Sequence, residues 1–105
     1  MCAEKIPEHY ESLISRFPRV MNALETLGTA AREEGPLDRK TGHLIQLAAS
    51  AVSQSEGGVH SHTRRALEAG ASPEEIYHTL ILLISPVGFP KVAAAVSWAD
   101  DVIKK

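Results

Sequence analysis

The sequence is poor in the residues that carry redox and nucleic-acid chemistry. It holds one cysteine, Cys2. A single thiol cannot close a disulfide within its own chain, so neither a structural bridge nor a C-x-x-C redox pair can be built from it. Lysine and arginine number 11 against 13 aspartates and glutamates, a formal net charge of −2, and no basic block occurs. Phosphate backbones are held by clustered cations, so no nucleic acid is expected as a partner. Long apolar runs are also missing. The most apolar stretch, "TLILLISPVGFP" (Thr79 to Pro90), holds two prolines and is about half the length that spans a bilayer, so no membrane insertion is expected. The opening residues "MCAEKIPEHYE" place glutamates and a proline where a signal peptide carries its apolar segment. The cytoplasm is the expected location. Nothing in the chain is repeated or of low complexity.

What is present is ordinary for a globular protein: 44% hydrophobic and 23% charged residues in 105 positions. That length predicts one domain over residues 1–105. Apolar residues recur with helical spacing, and the chain reads as all-α, a compact bundle of about six helices. Pro7 opens a short first helix with Tyr10, Leu13, Ile14 and Phe17 on one face. Pro18 suits the first turn of a second, and "EEGPLD" (Glu33 to Asp38) is a break. Asp38 is the expected N-cap of a third helix through Leu44, Leu47, Ala48, Ala51 and Val52. Ser55 and two glycines interrupt that pattern, and "VHSHTRRALEAG" forms a fourth helix stopping at Gly70. "SPEE" (Ser72 to Glu75) is a capping box with proline at the first helical position. The fifth helix is almost wholly apolar from Leu80 to Ile84 and is expected at the centre. "KVAAAVSWADDVI" is the last. The fifth and last helices are apolar on more than one face, more than a small domain buries internally, which predicts a homo-oligomer.

Four of the five histidines fall between positions 43 and 78: His43, His60, His62 and His78. On the fourth helix Val59, Ala66 and Leu67 mark the inner stripe, and His62 falls within it. Gly58 and Ser55 precede His62 by four and seven residues and share its face if the helix extends back that far, and the glycines are expected to open space above its ring. His60 lies ~200° round the wheel and should face elsewhere. An inward histidine beside small residues suits a general acid or base, because surroundings tune a pKa that starts near ~6.5. It also suits a core histidine satisfied by a backbone carbonyl. His60 and His62 could bind one ion with His43 or His78 only if the helix begins after His60. No resident metal and no cofactor are expected.

The stretch "LDRKTGHLIQLAASAVSQSEGGVHSHTRRALEAGASPEEIYHTLILLISPVGFPKVAAAV" resembles the carboxymuconolactone decarboxylase and alkylhydroperoxidase D-like superfamily. "LDRKT…LI", "HTRRALEAGASPEEI" and "GFP" carry the likeness, over about residues 36–96. The resemblance implies an alkylhydroperoxidase D-like helical fold assembled into trimers or hexamers. Its peroxidase branch carries CxxCxxxH, with a glutamate on the preceding helix completing a proton relay. Aligned on His62, the two cysteine positions are Ser55 and Gly58, and the relay glutamate, nineteen residues before the histidine, is His43. Serine and glycine do not exchange disulfides, so thiol peroxidase activity by that route is expected to be absent. The decarboxylase branch lacks the cysteine pair and uses acid/base chemistry on a lactone carboxylate, with a histidine at the position of His62.

These residues leave three functions open. One is a non-redox, decarboxylase-like lyase with His62 as general acid/base and His43 orienting it or holding an anion. Ser55, Gly58, His60 and Arg64 would then line the substrate, a small and possibly anionic molecule. The second is a catalytically silent oligomer binding a small ligand or protein partner in the same place. The third is family-type peroxidase activity or a histidine metal site. Arg64 and Arg65 read more simply as solvated or interfacial residues.

Overall fold

Prolines and small polar caps set where the helices begin. The computed structural model describes residues 8–104, and no strand occurs among the described residues. Cys2 and Pro7 lie outside them. Among the described residues there are six helices of nine residues or more and one single turn, and the chain divides into two compact units, Met1–Pro36 and Leu37–Lys105.

In the first unit, α1 (Glu8–Arg16) is followed by α2 (Pro18–Glu33). Pro18 occupies the first turn of α2, where its missing N–H has no intrahelical partner to lose. Neither helix contains a buried residue. Val20 is 65% exposed, and Phe17, Leu24 and Leu27 are also open. Tyr10 and Ile14 of α1 and Pro18, Met21, Asn22 and Glu25 of α2 line a cavity of about 140 Å³.

The second unit holds the core. Asp38 caps α3 (Arg39–Val52) by accepting a 2.8 Å bond from the Thr41 N–H. That helix ends with Gln54 in the left-handed region (φ +57°), and the Ser55 N–H reaches back to the Ser50 carbonyl at 2.9 Å. The chain can then restart at once. Ser55 is the N-cap of α4 (Glu56–Glu68), its Oγ accepting from the Gly58 N–H at 3.0 Å. Gly70, at φ +105°, closes α4 with the Ala71 N–H bonded to the Ala66 carbonyl. A side chain at that backbone angle would be strained. Ser72 and Glu75 form the expected capping box on α5 (Pro73–Ile81), with bonds of 3.1 and 2.9 Å. The turn α6 (Ile84–Val87) and α7 (Phe89–Ile103) complete the unit.

Helix α4 packs against α3 and α7, and α5 lies against both of those partners. Leu47 and Ala51 of α3, Val59 and Ala66 of α4, Ile76 and Leu80 of α5, and Val92, Ala95 and Ala99 of α7 fill the centre. Alanine at Ala66, Ala95 and Ala99 keeps the facing backbones close, since little side chain separates them. Polar ties also cross the unit. Lys40 Nζ donates to Glu75 Oε2 at 3.0 Å, and the Tyr77 hydroxyl donates to the Asp100 carboxylate. The bond to Asp100, with some burial, pushes the Tyr77 phenol up to about 12.

Two expectations fail here. Helix α4 starts at Glu56 rather than at Val59, because Ser55 caps it. The run Leu80–Ile84 is not the centre of the unit: only Leu80 is buried, while Leu82 is 62% exposed and Ile81 and Ile84 are also open. Pro86 explains the break. It has no N–H to offer the Leu82 carbonyl, so an unbroken helix through this run would lose a bond, and the chain stops at Ile81 and restarts as α6. The apolar run therefore covers a surface as well as a core.

Candidate functional site

His43, Leu47 and Ala51 follow one another at four-residue spacing along the buried face of α3. His43 is 1% exposed. On α4, His62 lies between Val59 and Ala66, the residues that seat this helix in the core. Because α3 and α4 pack together, the two imidazoles meet. Their Nδ1 atoms are 3.4 Å apart, their ring centroids 5.6 Å apart, and their planes tilted by 36°. The separation sits at the long end of hydrogen bonding. One ring donates and the other accepts, according to which tautomer each adopts.

The two rings differ in access. His43 is sealed, whereas His62 is half-buried and keeps a solvent-facing part. Its neighbour Thr63 is fully buried, like Val59 and Ala66, and its Oγ1 has no hydrogen-bond partner among the described residues. Gln46, one turn after His43, has a buried Oε1 that is likewise unpartnered. Each of the two helices that carry the histidines thus holds one buried polar atom without a partner among the described residues.

The remaining sequence-predicted residues fall in different places. Ser55 is the cap of α4, its hydroxyl engaged by Gly58. Gly58 does not open space above His62. A Cβ built there would lie 2.5 Å from Ser50 Oγ and 2.9 Å from Ser50 Cβ, so the room left by the missing side chain is taken by α3. The glycine is needed for close helix approach. His60 turns away, as its helical position predicts, and its Nε2 lies 2.9 Å from Asp101 Oδ2 on α7. Arg64 and Arg65 are half-buried, with no ion pair among the described residues. His78 is exposed on α5. Helix α4 starts at Glu56, before His60, so His60 and His62 point apart. The four central histidines therefore do not converge on one ion.

Ser50, Glu56 and Asp101 are not among the site residues that the sequence points to. The spacing of Glu56 and His60 one helical turn apart was a readable signal. The approach of Asp101, 41 residues after His60, was not.

The model of the carboxymuconolactone decarboxylase family matches residues 18–101. A carboxymuconolactone decarboxylase family protein from Legionella pneumophila has a similar structure, with a TM-score of 0.79 and 25% identity over 91% of this chain and 86% of that one. A Thermotoga maritima protein superposes with a TM-score of 0.73 and 29% identity, covering 92% of this chain and 88% of the other. In sequence, an uncharacterised protein of Haemophilus influenzae is 32% identical over 61 residues, 58% of this chain. The chain spans about half (54%) of that relative's length. With its helical fold and a family match over most of its length, the chain belongs to the carboxymuconolactone decarboxylase family.

Proposed function

We propose that this chain is a non-thiol member of its family in which His62, coupled to His43, serves as general acid and base on a small carboxylated molecule. The observation that carries the reading is the 3.4 Å approach of the two Nδ1 atoms, with His43 sealed and His62 partly open. Imidazole is both donor and acceptor. If His43 Nδ1–H donates to His62, the proton of neutral His62 is on Nε2, and that atom is an acid. If His62 Nδ1–H donates to His43, Nε2 carries a lone pair and is a base. When Nε2 of His62 gives up its proton, the bridging proton can pass from His43 Nδ1 to His62 Nδ1 while His43 takes up a proton at its own Nε2, which leaves His62 a base without any movement of the helices.

A decarboxylation would use the acid form. The bond from the carboxylate carbon to its neighbour breaks, carbon dioxide leaves, and the electron pair left on carbon takes the proton from His62. Solvent then restores that proton. The thiol route is unsupported, because the chain has one cysteine and the positions that the resemblance assigns to the redox pair are Ser55 and Gly58. Apolar side chains left open on α1, α2, α5 and α6 favour a homo-oligomer as the working form.

A thermal-shift screen over lactone carboxylates and hydroperoxides tests the reading. Carboxylate hits are expected to be lost in His62→Ala and weakened in His43→Ala, with no thiol-coupled hydroperoxide turnover above buffer. Hits that persist in folded His62→Ala would move the site elsewhere.

A further inference from the structure

On the face of α4 turned away from the histidine pair, three potential ligands from two helices come together. Glu56 and His60 stand one turn apart at the start of α4, and Asp101 reaches them from the last turn of α7. One donor atom from each lies within 4.8 Å of the other two. His60 Nε2 is the common point, 2.9 Å from Asp101 Oδ2 and 4.0 Å from Glu56 Oε2. We propose that Glu56, His60 and Asp101 bind a first-row divalent cation.

Three features separate this cluster from an ordinary acidic patch. The first is the imidazole nitrogen between the carboxylates. One nitrogen and two carboxylate oxygens form a donor set that first-row divalent ions accept, Zn²⁺ among them. The second is charge: neither Glu56 nor Asp101 pairs with a lysine or arginine among the described residues, so His60 alone faces two negative groups. The third is spacing. Bonds of ~2.0–2.2 Å put neighbouring ligand atoms about 3–3.5 Å apart. The His60–Asp101 pair, at 2.9 Å, is close to that range, and Glu56, 4.0 Å from His60, has a side chain 60% exposed and free to turn inward. Because the cluster is open to solvent, water can fill the remaining positions. The ion takes the lone pair of Nε2, with the ring proton on Nδ1.

A bound ion would tie the start of α4 to the end of α7. It uses none of the residues assigned to acid/base work, so this proposal and that one fail independently.

The test is calorimetric titration of the untagged full chain with Zn²⁺, beside Glu56→Gln, His60→Ala and Asp101→Asn. These sites are at least partly exposed, and far-UV circular dichroism confirms each fold. The expected result is saturable binding of one ion per chain. Each variant should be weakened at least about tenfold, the low end of what losing even an outer-shell partner costs. Absence of saturable binding, or binding equally tight in Glu56→Gln and Asp101→Asn, overturns the proposal.

Discussion

His43 occupies the position where the family resemblance implies a glutamate, and the exchange alters what can pass between α3 and α4. A carboxylate facing His62 would only accept, whereas an imidazole accepts or donates. The direction of His62 was legible from helical spacing, and His43 was found through the aligned position. Their contact was not legible, because nineteen residues and the packing of two helices separate them. Gly58 was misread for a related reason: an absent side chain in a sequence does not say which neighbour fills the space, and here Ser50 does. Gly58→Ala should therefore destabilise the fold by about 1–3 kcal/mol, the usual cost of overpacking. Ser50→Gly should restore much of the loss, measured by urea denaturation. Equal stability of Gly58→Ala and wild type would show that the helices part without cost. The same contact bears on restoring a cysteine at position 58, which would meet Ser50 before it met a partner thiol.

At the scale of the element, the legible features were local. Asp38 and Ser72 bond to N–H groups three residues ahead, so their roles follow from a short window of sequence, whereas Ser55 reads as an interruption and is the cap of a helix that starts at Glu56 rather than Val59. The apolar run from Leu80 to Ile84 was misjudged because hydrophobicity alone does not distinguish a core from a covered surface. Ser72→Ala is expected to cost about 1 kcal/mol in thermal or chemical unfolding. The Glu75 carboxyl is held below its ordinary 4.5 by the Ser72 N–H and then by Lys40. Both contacts favour the charged form, so the stabilisation is fully present above pH 4.5 and fades as pH falls through the lower folded-state value. Melting curves of wild type and Glu75→Gln should therefore differ most near neutrality and converge below that range. A gap that widened on acidification would contradict the assignment.

For the whole molecule, the all-helical architecture followed from periodicity and caps, and the family from the resemblance carried by "HTRRALEAGASPEEI" and its neighbouring segments. Assembly did not, because one chain shows which apolar residues are open and not what covers them. Val20, Leu24 and Leu27 on α2, and Ile81, Leu82 and Phe89 around α6, are large side chains exposed to water. Light scattering on a size-exclusion column should give a multiple of the 11.3 kDa chain mass. A monomer across the accessible concentration range would leave these surfaces needing another explanation.

The central claim, that His43 and His62 share one proton between their facing nitrogens, is tested most directly by ¹⁵N–¹H correlation of the histidine rings. At about pH 8, above the ordinary imidazole value of ~6.5, the account predicts complementary tautomers. One ring should carry its proton on Nδ1 and the other on Nε2, and His43→Ala should change the state of His62. Both rings protonated only on Nε2, with His62 unaltered in His43→Ala, would contradict it.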